Sequence, residues 1–201
     1  MRPLRPSSPA TRVVLAVFGI VWLVLLIPGF IAGFHSENSF SVLMLQIPFL
    51  IIGLGLLGWA LVPVAARTRI ATPEVLVSND TPRLGEEITL SYRQAVRSGL
   101  LVERMTVELV FTETARSGDG KNSSTRTHER VIRRFDEPGR DYRAGETLDR
   151  AYTLTVPADG MHTFITSHNK LQWCVRVRVY IPGWPDFRET YELKVLPEKV
   201  G

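Results

Sequence analysis

Residues 171–181 read LQWCVRVRVYI, and apolar and polar side chains alternate along the whole stretch. Trp173 and Val175 fall on one face, whereas Arg176 and Arg178 fall on the other. A period of two is typical of a β-strand that buries one face and exposes the other. The stretch therefore predicts a half-buried strand with Trp173 in the core.

The same alternation recurs on both sides of this strand. The clearest repeats are at residues 187–195, 105–111, 148–156 and 88–92, with shorter candidates at 74–78, 126–135 and 162–167. Turn residues such as Pro182-Gly183 separate them. Seven or eight strands that each have one apolar face need two sheets packed against each other. Residues 74–201 are therefore predicted to form an all-β sandwich.

The first third of the chain has a different composition. Residues 13–34 and 42–64 contain no charged side chain, and a short polar stretch at 35–41 links them. About 20 apolar residues in a helix cross a ~30 Å hydrocarbon core. The apolar run at 13–34 is too long for the core of an ordinary signal peptide. We therefore expect a transmembrane helical hairpin, which would make the bilayer itself a partner.

The positions of the arginines predict the orientation of this hairpin. Arg2, Arg5 and Arg12 precede the first span, Arg67 and Arg69 follow the second, and the linking stretch has no basic residue except one histidine. Basic residues concentrate on the cytoplasmic side of a membrane. We expect residues 1–12 to be a basic cytoplasmic segment, 35–41 an external loop, 65–73 a linker and 74–201 cytoplasmic.

Several sequence features resemble arrestin-type domains over about residues 74–197. They are the strand onset at Gly85-Glu86 after Val75–Ser78, the run Gly145, Leu148, Tyr152, Leu154, Val156 and Pro157, and the closing stretch at 191–197. Two spans followed by such a domain resemble uncharacterised bacterial membrane proteins, which implies a place in the bacterial plasma membrane. The resemblance implies an immunoglobulin-like cytoplasmic sandwich that acts as an adaptor for other proteins. The chain departs from arrestins in having room for one sandwich and in the segment Ala158–Thr163.

Neither charge nor motifs indicate nucleic-acid binding or catalysis. The chain has 24 basic and 20 acidic residues and a net charge of +4, without a concentrated basic domain. No metalloprotease, thiol–disulfide, serine hydrolase or phosphate-loop motif is present. A site built from His162, His168 and Cys174 is conceivable, but structural zinc normally uses four ligands at tighter spacing. We expect no catalytic site, no metal and no cofactor.

Two features are candidate surfaces for a protein partner. One is the basic stretch that contains Arg126, Arg130, Arg133 and Arg134. Its charges either block pairing at a sheet edge, contact anionic lipid, or bind a partner. The other is Trp184, in the turn at 182–186, which either caps the sandwich or anchors a partner.

Small residues in the two spans are candidates for helix packing. They are Gly29, Gly33, Gly53, Gly55 and Gly58. Glycines let helix backbones approach closely inside a membrane. They either pack the hairpin against itself or allow a homo-oligomer to form.

These observations favour a membrane-anchored, non-catalytic binding or adaptor module that presents a β-sandwich at the cytoplasmic face. Its partner is an unknown protein. The alternative is a structural or accessory subunit of a membrane complex that acts through its transmembrane hairpin.

Overall fold

The computed structural model of the protein describes residues 1–6, 10–34, 39–118 and 123–198. The chain divides into two compact units. Ser8–Ala65 form a helical unit, and Met1–Ser7 together with Ala66–Gly201 form a β-rich unit. Two helices are thus followed by a β domain, in the order that the sequence predicts.

The helical unit contains α1, Ala10–Phe34, and α2, Ser39–Arg69, whose last turn belongs to the β-rich unit. Val14–Ala32 and Met44–Arg69 are long and apolar enough to cross a membrane. Most of their large apolar side chains are exposed, for example Leu25 and Leu45. The core helix of a soluble domain would bury such side chains, because exposed apolar area costs free energy in water.

α1 and α2 pack against each other through an aromatic contact and small residues. The indole N–H of Trp22 donates a hydrogen bond to the carbonyl oxygen of Phe49 at 3.0 Å, and the two rings lie 6.0 Å apart. Gly53 lies against Trp22 and Leu23. The two helices therefore form a hairpin with an interface of its own.

The strands of the β-rich unit are β1 Arg2–Pro3, β2 Glu74–Val77, β3 Glu87–Ala95, β4 Leu100–Leu101, β5 Arg104–Ser117, β6 Ser124–Pro138, β7 Asp141–Tyr142, β8 Thr147–Thr155, β9 Phe164–Ile165, β10 Asn169–Tyr180 and β11 Phe187–Leu193. They form a four-stranded sheet in the order β1-β2-β3-β8 and a second sheet in the order β11-β10-β5-β6, with β9 added to β10. A two-stranded ribbon joins β4 to β7, and all the strand pairs are antiparallel.

The core lies between these two sheets. Trp173, Val175 and Val177 of β10 are buried, as the alternation in the sequence predicts, and so are Leu154 of β8 and Leu193 of β11. The polar face of β10 is less exposed than expected, because Arg176 and Arg178 are half-buried in ion pairs. The predicted register of β10 is therefore correct.

Residues 1–6 differ from the sequence-based expectation. Instead of lying in a separate basic segment, Arg2 and Pro3 pair with Val77 and Leu76 of β2. Leu4 donates its N–H to the carbonyl oxygen of Val75 at 2.9 Å, and its side chain is buried in the sandwich core. Prolines are tolerated here because β1 is an edge strand that does not need every N–H for pairing.

The second difference concerns the expected spans and linker. α2 continues to Arg69 instead of ending at residue 64, so much of the expected linker at 65–73 is helical. Ile70, immediately after the helix, is buried and forms a β-bridge with Val96. We call this the linker end of the sandwich. The opposite end, where Ser117 of β5 pairs with Ser124 of β6, we call the β5–β6 end.

Candidate binding surfaces

β6 is the most exposed strand of the sandwich. It pairs with β5 on one side, and no described strand pairs with its other side. All eight residues from Ser124 to Val131 are exposed, although they belong to a regular strand. A strand with two exposed faces and a free edge can accept another strand or must be protected from one.

The four arginines of β6 that the sequence suggests as a binding surface lie on two different faces of the sheet. The register shifts at Leu109/Val110, so that Ile132 is an extra residue opposite β5. Arg134 lies opposite Glu108, on the outer face of the sheet, because Glu108 alternates with the buried residues Val107 and Leu109. Arg126, Arg130 and Arg133 lie on the inner face. Their directly opposite partners on β5 are Ala115, Phe111 and Leu109, which share the face of Val107.

The outer face of this sheet carries a charge network. Arg134 lies 2.8 Å from Asp136 and 3.4 Å from Glu108, and Arg176 lies 2.8 Å from Glu129. Hydrogen bonds from Arg134 lower the pKa of the Asp136 carboxyl below its ordinary value. The positive charge of Arg134 is therefore already compensated within the domain.

The inner-face arginines have a different environment. The guanidinium of Arg133 lies over the ring of Phe135 at 5.3 Å from its centroid. Within the described residues, Arg126, Arg130 and Arg133 form no ion pair with a carboxylate. These three side chains, which we call the basic row, therefore lie on one face without an ion-pair partner among the described residues.

Trp184 lies at the linker end of the sandwich, in the turn between β10 and β11. It follows Ile181, whose carbonyl oxygen accepts a hydrogen bond from the Trp184 N–H at 3.1 Å, and it is 37% exposed. The guanidinium of Arg69 lies over its ring at 4.8 Å. Trp184 thus packs on the last turn of α2 while keeping part of its ring accessible.

An acidic residue holds the loop that carries Trp184. Arg178 donates from Nε to the Asp186 carboxylate at 3.0 Å, and Arg188 donates at 3.3 Å. Burial opposes ionisation of Asp186, but the hydrogen bonds from the two arginines outweigh it and lower its pKa below the ordinary value. The loop is therefore fixed by a charged group that is ionised at neutral pH.

The predicted glycines of the spans differ in their surroundings. A Cβ atom at Gly29 would lie 2.8 Å from the amide nitrogen of Gln46, and one at Gly53 would lie 2.6 Å from Leu23. Cβ atoms at Gly55 and Gly58 would meet nothing within 4 Å. The packing of Gly33 lies outside the described part of the structure. Gly29 and Gly53 thus allow the hairpin to close on itself, whereas Gly55 and Gly58 do not contact it.

Cys174 lies on the outer face of β10, opposite Val110. Burial raises the pKa of its thiol to about 11, although Arg176 acts in the opposite direction. Desolvation therefore disfavours the thiolate more than the neighbouring arginine favours it.

The conceivable metal site does not assemble. His168 precedes β10, and six residues of extended chain, about 20 Å at about 3.3 Å per residue, separate it from Cys174. Among the described residues, no three His, Cys, Asp or Glu side chains lie close enough to hold a metal ion.

One ion pair of the β-rich unit has no signal in the sequence. Glu189 occupies an inward position of β11 between Phe187 and Tyr191, and its side chain is 11% exposed. Arg67, in the last turn of α2, lies 3.3 Å from its carboxylate. The carboxylate at an otherwise apolar position therefore fixes the end of the second helix to the sandwich.

No protein-family model and no curated protein sequence matches the chain. Among solved structures, the chain is similar to Spo0M, a sporulation control protein from Bacillus subtilis. The similarity has a TM-score of 0.51 at 15% sequence identity, and it covers 63% of this chain and 49% of the Spo0M chain. At this identity the likeness concerns the fold, and it supports an arrestin-like β domain.

Proposed function

We propose that this protein is a membrane-anchored, non-catalytic binding module. Its helical hairpin spans the bilayer, and its arrestin-like sandwich binds a partner protein at the cytoplasmic face. The arrestin-like fold supports a regulatory or binding role rather than a specific chemistry. The two long apolar helices with exposed side chains support the anchor.

The observation that carries the proposal is that two separate segments of the chain build the sandwich. Residues 1–6 precede the helices, and residues 66–198 follow them, yet both segments build one folded unit. Two segments that share a sheet must lie on the same side of a membrane. This arrangement requires an even number of spans, which two helices provide.

The side of the membrane follows from the arginines. Arg2 and Arg5 precede the hairpin, and Arg67 and Arg69 follow it, so the basic residues lie at the ends that carry the sandwich. The positive-inside rule assigns that side to the cytoplasm.

Cysteine labelling in intact cells tests this topology. Cys174 is first replaced by serine, and single cysteines are placed by Ser39→Cys and Ser123→Cys. A membrane-impermeant maleimide added from outside is expected to label position 39 and to label position 123 only after permeabilisation. External labelling of position 123 before permeabilisation would contradict the proposed location of the sandwich.

The second candidate function is that of an accessory subunit acting through the hairpin. Gly55 and Gly58 favour it, because both face open space and leave a smooth strip on α2. Replacing both with leucine distinguishes the two functions. Loss of partner binding in this variant, with binding unaffected by Trp184→Ala and by changes on β6, would favour the accessory role or a homo-oligomer.

A further inference from the structure

The direction of the backbone groups on β6 follows from a single hydrogen bond at the β5–β6 end of the sandwich. The N–H of Arg116 on β5 donates to the carbonyl oxygen of His168 at 2.7 Å, towards β10. Backbone N–H and C=O groups point alternately to the two sides of a strand, so those of Ala115 and Glu113 point towards β6. Their partners Arg126 and His128 therefore use their backbone groups in the β5–β6 ladder.

The intervening residues of β6 present their backbone groups to the free edge. These residues are Thr125, Thr127 and Glu129. Their N–H and C=O groups have no described strand to pair with. The irregularity at Ile132 interrupts the regular edge. A segment of eight residues, Ser124–Val131, is therefore available for strand pairing.

Charge determines which chain can pair there. An added antiparallel strand brings alternate side chains beside those of β6 on each face. On the inner face these neighbours are Arg126 and Arg130, which have no carboxylate partner among the described residues. On the outer face Glu129 is already paired with Arg176. Acidic side chains at alternate positions complement the inner face.

A lipid surface is a poorer match for this edge of the sandwich. Anionic headgroups could contact the arginine side chains, but they offer no extended backbone to pair with the N–H and C=O groups at the free edge of β6. A polypeptide strand can satisfy the backbone groups and the arginines together.

From the free backbone edge and the basic row we infer that β6 binds an extended acidic segment of a partner protein by strand addition. The segment pairs with the free amides at Thr125, Thr127 and Glu129. Its alternate carboxylates pair with Arg126 and Arg130. This inference rests on the proposed binding function and names the chemical class of the partner.

The test uses the full chain in a neutral detergent and a dye-labelled synthetic octapeptide in which glutamate alternates with threonine. A second octapeptide with glutamine in place of glutamate is the control. Fluorescence anisotropy measures the affinity for each peptide. We expect the acidic peptide to bind at least about tenfold more tightly, since both arginines gain a carboxylate partner.

Three variants separate the two parts of the interaction. Arg126→Glu with Arg130→Glu removes the charge complement and is expected to weaken binding about tenfold or more. Thr127→Pro removes an outward N–H while leaving the β5–β6 ladder intact, and the same loss is expected. Arg116→Glu is the control: it reverses one charge, half of the change in the double variant, on the outer face of β5 and is expected to change the affinity less than threefold. Circular dichroism establishes that each variant is folded.

Each contrary result has a definite meaning. Absence of binding, equal binding of both peptides, or full binding by folded Thr127→Pro overturns strand addition of an acidic segment. Binding of vesicles that contain anionic phospholipid, reduced by the double charge reversal, with no binding of the peptide would assign the basic row to lipid. The binding-module proposal itself survives these results if a partner is cross-linked at the Trp184 loop, and it fails if labelling places the sandwich outside.

Discussion

Leu4→Ala tests whether residues 1–6 belong to the sandwich. The Leu4 side chain is 8% exposed and lies in the hydrophobic core, and the segment is held further by two strand pairs with β2. Replacing a buried leucine with alanine generally costs about 2–5 kcal/mol. The site lies at a sheet edge and can relax, so we expect about 2–3 kcal/mol for opening of β1. At about 1.4 kcal/mol per tenfold, this is a 30- to 150-fold change in the opening equilibrium.

Amide hydrogen exchange of the full chain provides a readout at single residues. The Val75 carbonyl accepts from Leu4, so the N–H groups of Val75 and Val77 face β1, whereas that of Leu76 faces β3. We expect exchange at Val77, which pairs with Arg2, to accelerate by the factor above and exchange at Leu76 to change less. Arg5→Ala, at an exposed neighbouring residue, is the control. Exchange at Val77 within twofold of the unmodified protein would refute the pairing of β1 with β2.

The remaining predictions concern the core and the thiol. Trp173→Ala removes a buried ring that lies 5.0 Å from Phe111, and urea denaturation should show a loss of about 3–5 kcal/mol, whereas a loss below about 1 kcal/mol would mean that the strand faces are exchanged. Cys174, with a thiol pKa of about 11 in place of about 9, should react with a maleimide at pH 8 about 100-fold more slowly than a free thiol, and equal rates would show that it is solvated. The thiol of Cys174 ionises at a lower pH in the unfolded chain than in the folded one, so its contribution to stability should be present below pH 9 and decrease as the pH rises through 11. Denaturation midpoints of the unmodified protein and of Cys174→Ser, each measured at pH 8 and at pH 11, test this expectation.

The parts of the fold that depend on local periodicity could be predicted from the sequence. The alternation around Trp173 gave the correct buried face, and the absence of charge indicated both helices. β1 could not be predicted in this way, since it contains two residues and is followed by Pro6. Its pairing depends on residues more than 70 positions away in the chain.

The arrangement of the candidate site needed the three-dimensional register. The sequence groups Arg126, Arg130, Arg133 and Arg134 as one basic stretch, and only the extra residue at Ile132 explains their faces. Simple alternation would put Arg133 on the face opposite Arg126 and Arg130. Compensation of Arg134 by Glu108 also depends on a partner strand. A sequence without an alignment therefore identifies the charges but not which of them are free to bind.

The two sides of the sandwich are not equivalent, and this asymmetry determines where a partner strand can add. On one side, residues 1–6 pair with β2 and Pro6 bridges Tyr191 of β11, so a single segment covers an edge of each sheet. On the other side, β8 and β6 have edges that no described strand covers. β8 alternates between exposed and buried residues, whereas Ser124–Val131 of β6 is exposed on both faces. An incoming strand at β6 therefore gains backbone pairing without displacing any part of the core, which makes this edge the more accessible of the two.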